Sequence, residues 1–366
     1  MESKRSNQSH EECPMNGGEG KYSYAQNSNH QRLTADVTKH IIREVILEML
    51  DLETLLHDSS NVIRIADLGC SVGPNTFFTV QNFIDTVNLK SQSQGHGFDS
   101  LEFQVFFNDH VGNDFHTLFK SLPEDKQYYA AAVPGSFHGR LFPESSIHVF
   151  NSTYALHWLS RVPREIVDKN SPAYNKGRIF YIDEDREVTK AYSAQFKRDF
   201  ESFLNSRALE IVPGGIMSLT FLCVPPDTKN GFQVLLNIMG DVLVEMANKG
   251  LVSHELVDSF NIPIYTPASK EVIELIEKNG KFEIEKSEFL YRLIDTKRLT
   301  DAEKACMHLR AGLEGVFKEH FEEGIVDEFF ILYKKQLAEQ FTTLFPVSDQ
   351  TCKDLGGLFV MKRTLV

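Results

Sequence analysis

The chain has few of the features that mark membrane, nucleic-acid-binding or disulfide-rich proteins. No uninterrupted apolar run in its 366 residues approaches the roughly 18–20 residues that cross a bilayer. It carries 38 Lys and Arg against 51 Asp and Glu, which gives a net charge of −13. Since phosphate backbones and anionic lipid surfaces attract basic faces, this balance argues against nucleic acid and membranes as partners.

The cysteines and the N-terminus indicate a cytoplasmic protein. The five cysteines are scattered, and no pair has the C-x-x-C spacing of a zinc or redox motif. They are typical of reduced thiols rather than of a disulfide framework. Residues 1–14 are polar and lack the apolar segment of a secretory signal, so we expect them to be disordered. Without such a signal, the glycosylation sequon at residues 151–153 is interpreted as chance.

Apolar periodicity alternates along the chain between short strand-like runs and amphipathic helical segments, which predicts an α/β fold with parallel βαβ units. Strands are predicted at residues 62–67, 101–107, 128–133, 147–150 and 215–223, with later candidates at 282–293 and 358–363. Helices are predicted at 36–56, 75–90, 114–121, 187–212, 231–248, 301–322 and 325–341, and a loop at 91–97. These helices are more than would be needed to cover the two faces of the sheet. We therefore expect a single domain at 15–366 whose helical cap comes from 15–35, 160–180 and 225–345.

The most informative segment is residues 63–76, where a strand ends in Asp67 and the chain turns through Gly69 and Gly73 into a helix. Open α/β sheets bind ligands at the carboxyl ends of their strands, so a nucleotide-like cofactor is expected here. The two glycines match neither the dinucleotide pattern nor the phosphate loop. An acid at this point would repel a pyrophosphate, but it suits the ammonium and sulfonium groups of S-adenosylmethionine (SAM).

Two later strand ends carry side chains that suit the adenosine part of this cofactor. Asp109 can accept hydrogen bonds from both ribose hydroxyls, and the less favoured alternative is that it caps the helix that follows. In residues 134–140, Phe137 can stack on adenine between two glycines that allow close approach. That segment is also compatible with a tight turn around a buried Phe.

Three further features suit an anionic acceptor or a metal. Trp158, the one tryptophan, can donate its indole N–H to a carboxylate, although a single Trp is also typical of a core. Gln31 offers an amide N–H without adding charge, and it follows a glycine-rich segment that is also compatible with a flexible loop. Residues 258–261 offer oxygen ligands to a hard cation, or they cap a helix.

Together and in this order, these segments resemble the plant SABATH family of SAM-dependent methyltransferases, from about Met15 to the C-terminus. The resemblance implies a Rossmann-like class I methyltransferase sheet with an additional helical cap over the active site. It also implies methyl-ester formation on a small-molecule carboxylic acid, and a homodimer. The matching motifs lie at residues 15–18, 23–25, 67–76, 108–109, 134–143, 154–160, 175–179 and 258–267.

The resemblance also implies which residues form the site. Cofactor contacts would be Tyr24, Asp67, Cys70, Asn75, Asp109, His110, Ser136 and Phe137. Substrate contacts would be Gln31, Tyr154, His157 and Trp158. A structural Mg²⁺ would bind Asn175, Asp258, the Phe260 carbonyl and Asn261. His110 departs from the leucine common in the family, and Asn16 stands where some carboxyl methyltransferases have lysine.

The expected chemistry needs no proton-transfer catalyst. A carboxylic acid of pKa about 4–5 is already ionised at pH 7, so its oxygen can attack the cofactor methyl in line. Opposite charges cancel in that step, which favours a dry and mostly uncharged pocket. Two alternatives stay open: an N-methyltransferase of xanthines, and a non-catalytic binding protein for small molecules. Residues 108–110 and 154–158 are most similar to those of members that act on terpenoid-type acids.

Overall fold

The computed structural model describes residues 14–56, 61–94, 101–181, 186–224, 231–290, 302–344 and 356–365, and the structural statements below concern those residues. Residues 1–13, which include most of the segment predicted to be disordered, lie outside this set. Residues 225–230, 291–301 and 345 of the predicted cap lie outside it too.

A seven-stranded sheet forms the centre of the described fold. Its strands are β1 Val62–Leu68, β2 Glu102–Asp109, β3 Tyr129–Pro134, β4 Ile147–Thr153, β5 Ile211–Leu222, β6 Phe282–Leu290 and β7 Gly356–Arg363. The order is β3-β2-β1-β4-β5-β7-β6; the first five strands are parallel, and β7 is antiparallel to both β5 and β6. The strand order reverses at β1, so the crevice beyond the carboxyl ends of β1 and β4 is the expected ligand site. The predicted Rossmann-like α/β sheet is confirmed.

Helices lie around this sheet. They are α1 Tyr24–Asn27, α2 Asn29–Met49, α3 Leu52–Leu55, α4 Pro74–Gln94, α5 Phe115–Lys120, α6 Arg186–Glu210, α7 Gly231–Asn248, α8 His254–Ser259, α9 Ser269–Asn279, α10 Ala302–His320 and α11 Glu323–Leu344. Within the described ranges, no helix has both the length and the apolar character needed to cross a bilayer. β1 and β4 are almost wholly buried, as expected for central parallel strands covered on both faces.

The boundaries predicted for three helices are wrong. The helix predicted at 36–56 begins at Asn29 and ends at Met49, because Leu50 is extended and the Asp51 carboxylate accepts from Glu53 N to start a new helix. α4 continues to Gln94, into the loop predicted at 91–97, whose last three residues lie outside the described set; the Gln94 side chain accepts a hydrogen bond from Leu52 N. The helix predicted at 187–212 ends at residue 210, and β5 begins at once rather than at residue 215. The longer α4 is thus accompanied by a contact between residues 42 apart, whereas the break between α2 and α3 is marked by a local cap.

The late helices share the core of the sheet. α10 and α11 pack on each other, α11 also packs on α7, and aromatic side chains join these helices to the segment that follows α8. The ring of Phe260 lies 4.7 Å from that of Phe317, which in turn stacks at 4.5 Å on Phe329. These rings belong to the same buried cluster as Met217 and Phe221 of β5. The described helices are thus continuous with the sheet rather than a separate body.

Candidate active site

The turns after β1 and β4 meet at the point where the strand order reverses. Gly69 has a φ of +77°, and both Gly69 N and Cys70 N donate to the Asn108 carbonyl at the end of β2, at 2.9 and 3.0 Å. A Cβ atom at Gly69 would collide with the Cβ of Ala155 in the turn after β4. A glycine is therefore required for this approach, both by its backbone angle and by the space available.

Asp67 lies inside this crevice, and each of its carboxylate oxygens accepts a hydrogen bond. One oxygen accepts from Asn151 Nδ2 at 2.6 Å, and the other accepts from the Thr76 hydroxyl. Burial, together with a smaller effect of the nearby Asp109 carboxylate, raises the pKa of Asp67 to about 6. A cation bound in the crevice would favour the ionised form and lower this pKa.

Asp109 is the last residue of β2 and accepts hydrogen bonds from two backbone groups. Ser71 N donates to Oδ2 at 2.7 Å, and His110 N donates to Oδ1 at 2.8 Å. Each oxygen keeps a second acceptor position, which is what a ribose diol needs. The alternative that Asp109 caps the next helix is wrong, because Asp114 caps α5 by accepting from Thr117 N at 2.9 Å.

The turn after β1 depends on residues that the sequence did not single out. Ser71 has a φ of +51°, which is rare for a residue with a side chain. Asn113 holds this conformation by donating from Nδ2 to the Ser71 carbonyl at 3.1 Å. Strained backbone of this kind clusters at functional sites. Because Ser71 and Asn113 are 42 residues apart, no local sequence pattern could have predicted this contact.

Phe137 borders the crevice on the side of β2 and β3. Its side chain is buried, and its ring lies 4.7 Å from His138 and 6.5 Å from His110. One of its edge carbons would lie 3.7 Å from a Cβ at Gly69, so the ring reaches the turn after β1. Ser136, next to it, is exposed.

The N-terminal segment closes over the crevice and has defined contacts, unlike the flexible loop that its composition also allowed. Asn75 Nδ2 at the start of α4 donates to the carbonyl and hydroxyl of Ser28, at 3.0 and 2.9 Å. Gly18 N donates to Asp114 at 2.8 Å, and Asn16 Nδ2 donates to Glu314 of α10 at 2.7 Å. Residues 16–28 therefore connect the sheet to the late helices. Tyr24 lies in this segment, and burial and the charges of Asp109 and Asp67 raise its pKa.

An aromatic and histidine-lined cluster follows β4. Tyr154 has a φ of +56°, and its hydroxyl lies 3.0 Å from the Thr34 hydroxyl on α2. The ring of His30 lies 5.3 Å from that of Tyr154, and the ring of His157 lies 6.2 Å from it. The Trp158 ring, which is half-buried, lies 6.2 Å from His157.

This cluster is electrically neutral where it is most buried. Burial lowers the pKa of His157 to about 3, with a smaller effect from His30, so the imidazole is uncharged at pH 7. Among the described residues, His157 Nδ1 and Gln31 Oε1 are buried without a hydrogen-bond partner. Buried polar atoms normally have partners, so these two atoms indicate a position for a polar ligand.

The chain between α8 and α9 holds this cluster in place. Leu159 N donates to the Pro263 carbonyl at 2.8 Å, and Tyr265 N donates to the His157 carbonyl at 2.9 Å. Trp158 also forms an isolated antiparallel bridge with Ile264. The segment is therefore paired like a short strand, which fixes the direction of its side chains.

The predicted metal ligands lie together beside this paired segment. Asn175 Nδ2 donates to Asn261 Oδ1 at 2.7 Å, while the Asp258 carboxylate accepts from Gly177 N at 2.8 Å and from the Tyr174 hydroxyl at 3.3 Å. The alternative that these polar side chains cap a helix is not borne out, because Ser253 caps the start of α8 and Phe260 ends it through its backbone N–H, which donates to the Val257 carbonyl. In the part of the chain that is described, no three His, Cys, Asp or Glu side chains are grouped to hold a metal.

Comparison with known proteins agrees with this geometry. The chain matches the SAM dependent carboxyl methyltransferase family over residues 10–364. It is 44% identical over 355 residues to loganic acid O-methyltransferase of Catharanthus roseus, with 96% of this chain and 94% of that protein covered. It is 43% identical over 276 residues to farnesoic acid carboxyl-O-methyltransferase of Arabidopsis thaliana, with 74% and 77% covered. The solved structure of loganic acid methyltransferase with SAH has a TM-score of 0.90, covering 96% of this chain and 99% of that chain.

Proposed function

We propose, from the premise that this chain belongs to the SAM-dependent carboxyl methyltransferase family, that its acceptor is the carboxylate of a terpenoid-type acid. The enzyme forms methyl esters of a small-molecule carboxylic acid with SAM as the methyl donor. The observation that carries the choice of a carboxylate is the uncharged, buried cluster around His157, since charge cancellation in the transfer is helped by a water-poor pocket. Similarity to the loganic acid and farnesoic acid enzymes supports the terpenoid class.

The residues of the crevice fit SAM, which supplies a methyl group on a positively charged sulfur. Asp109 would hold the ribose through the free acceptor positions of its two oxygens. Phe137 would lie against adenine, and Asp67 would balance the amino acid ammonium. The other proposed cofactor contacts are Tyr24, Cys70, Asn75, His110 and Ser136.

The acceptor would be held by neutral donors. Trp158 would donate its indole N–H, and Gln31 its amide N–H, to the substrate carboxylate and so direct one oxygen toward the donor. Tyr154 and His157 would line the pocket, and the orphaned His157 Nδ1 would take a hydrogen bond from the substrate side. No side chain transfers a proton in this scheme, because the acid is already ionised.

Mg²⁺ at Asn175, Asp258, Phe260 and Asn261 stays a proposal. The Asn175 Oδ1 atom supports it, because this buried amide oxygen has no hydrogen-bond partner among the described residues. Amide oxygens and a carboxylate are the ligands that Mg²⁺ prefers, so these side chains fit the ion. It would fix the chain between α8 and α9, and it would take no part in the reaction.

Three other features stay proposals. The helices α7, α10 and α11 would cap the acceptor pocket. A cytoplasmic location is supported by the buried, free thiols of Cys70, Cys223 and Cys306. A homodimer has only the resemblance to the SABATH family in its support.

The test is a methyl-transfer assay with labelled SAM and mass detection of the product. We expect base-labile methyl esters from loganic or farnesoic acid, and much lower turnover with salicylic, benzoic and jasmonic acids. A panel of xanthines is the control for the alternative acceptor. Base-stable products from xanthines would replace this proposal by N-methylation, and the absence of turnover with every compound would favour a binding protein.

A further inference from the structure

Helix α6 carries a buried ion pair that has no place in the scheme above. Arg207 and Glu210 lie one turn apart at its C-terminal end, and both side chains have no solvent exposure. Arg207 Nε donates to Glu210 Oε2 at 2.7 Å, and a terminal guanidinium nitrogen lies 2.7 Å from the same oxygen. Taking two charges out of water is costly unless all their hydrogen-bonding groups are used.

The other hydrogen-bonding groups of Arg207 and Glu210 bind backbone groups of the loop that carries Phe137. The guanidinium of Arg207 donates to the Phe137 carbonyl at 2.8 Å and to the Gly139 carbonyl at 2.7 Å. The other carboxylate oxygen of Glu210 accepts from Leu141 N at 2.5 Å and from Phe142 N at 3.0 Å. All four contacts go to backbone groups, so they set the path of the loop itself.

A third side chain of α6 contacts the same loop. The Ser202 hydroxyl donates to the His138 carbonyl at 2.8 Å. The carbonyls of residues 137, 138 and 139 in succession thus accept from one helix. This arrangement is expected if the loop must keep its shape before a ligand arrives.

The middle of the same helix contacts the segment that carries Trp158. Ser160, two residues after Trp158, donates from its backbone N to Asp199 at 2.9 Å and from its hydroxyl to the same carboxylate at 2.7 Å. Gln195 also donates to the Ser160 hydroxyl, at 3.2 Å, and to Asp199, at 2.8 Å. One helix therefore anchors both the loop at the proposed adenine position and the segment that carries the proposed carboxylate donor.

We propose that α6 aligns the two substrates: Ser202, Arg207 and Glu210 are positioning residues for the cofactor loop, and Asp199 is a positioning residue for the acceptor segment. The inference rests on the proposed roles of Phe137 and Trp158. An in-line transfer requires the two ligands to meet at a fixed distance and angle, and small displacements are costly in rate. A rigid helix bonded to both segments supplies that fixed relation.

Three serine-to-alanine variants on this structure form a matched set. Ser202→Ala removes one bond to the cofactor loop, and Ser160→Ala removes the hydroxyl bond to the acceptor segment. Ser193→Ala is the control, because its hydroxyl donates to Glu271 on α9 at 2.8 Å and contacts neither segment. Arg207→Lys is a stronger variant that keeps the charge but not the planar set of donors.

The readouts are the Kd for S-adenosylhomocysteine by calorimetry, and kcat and KM for the acid. We expect Ser202→Ala to raise that Kd by about two- to tenfold, the range for one lost hydrogen bond, and Arg207→Lys to raise it by about tenfold or more. Ser160→Ala should leave it unchanged and lower kcat/KM for the acid by a similar factor. Ser193→Ala should match the parent enzyme in the Kd for S-adenosylhomocysteine and in kcat/KM for the acid.

Unchanged ligand affinity in Ser202→Ala would overturn the proposal, as would an equal change in Ser193→Ala. The serine set decides the question even if Arg207→Lys does not fold. Failure of the proposed function is separable, because it would appear in the parent enzyme as absence of S-adenosylhomocysteine binding or of ester formation.

Discussion

Trp158 and Asp109 are assigned to different ligands, and single substitutions can separate them. Trp158→Phe keeps an aromatic ring but removes the N–H donor. We expect kcat/KM for the acid to fall by about tenfold or more, because a donor to a charged group is worth roughly 1.5–3 kcal/mol. The Kd for S-adenosylhomocysteine should stay within about twofold when measured by calorimetry.

The complementary variant is Asp109→Asn, which loses one acceptor oxygen and places an NH₂ group against one of the two backbone N–H donors, Ser71 N or His110 N. It should weaken S-adenosylhomocysteine binding first. If both variants changed the affinity for S-adenosylhomocysteine equally, the assignment of Asp109 to the cofactor and of Trp158 to the acid would be wrong.

The positions of Asp67, Asp109 and Phe137 at or just beyond strand ends could be predicted from the sequence. The parallel strands bring these residues to one edge, and local patterns locate the strands. Their supporting partners are not predictable in this way. Asn151 contacts Asp67 across 84 residues and Arg207 contacts Phe137 across 70, so only the folded chain shows these pairs.

At the scale of elements, the approach of the turns after β1 and β4 depends on one missing side chain. Gly69→Ala would set a methyl group against Ala155 and impose a φ of +77° on alanine. We expect the free energy of unfolding to fall by about 2 kcal/mol or more, since strain and overpacking add. We also expect binding of S-adenosylhomocysteine to be lost, as measured by calorimetry.

Gly250→Ala provides the control, because Gly250 has a similar φ of +73° but open space where its Cβ would lie. It should cost only the conformational strain, about 1 kcal/mol, and leave ligand binding intact. Urea denaturation of both variants measures the difference. Equal losses of stability in Gly69→Ala and Gly250→Ala would mean that the close approach of the two turns adds nothing to the cost of the Gly69 substitution.

The elements were easier to predict than their ends or their order. All seven strands lie where apolar runs predicted them, because a buried strand needs such a run whatever its neighbours are. The position of β7 between β5 and β6 has no local signal, since it depends on pairing between residues far apart in the sequence, such as Ile216 with Lys362. The helix break at Asp51 is visible only as a capping contact.

For the molecule as a whole, buried histidines predict acid sensitivity. The pKa of His157 is lowered to about 3 and that of His148 to about 4, both mainly by burial. Between those values and the usual 6.5, the unfolded chain binds protons that the native protein does not, so stability falls as pH falls. Asp67, with its pKa raised to about 6, binds a proton in the native state first and opposes this trend.

Urea denaturation at pH 7.5 and 5.5 measures the balance. We expect His157→Gln to lose less stability between these two pH values than the parent enzyme, by about 1.4 kcal/mol, because that is the contribution of one such histidine one unit below its unfolded pKa. His40→Gln, at an exposed position on α2, is the control and should follow the parent. An identical pH dependence in all three proteins would show that His157 is not held neutral.

The position of Asn151 has a consequence for the choice of expression host. This residue is 1% exposed in β4, and its amide nitrogen donates to Asp67. It also begins a sequon that oligosaccharyltransferases act on before a nascent chain has folded. A sugar attached there would occupy the centre of the sheet, so export through the secretory route of a yeast or insect cell would yield misfolded glycoprotein rather than enzyme.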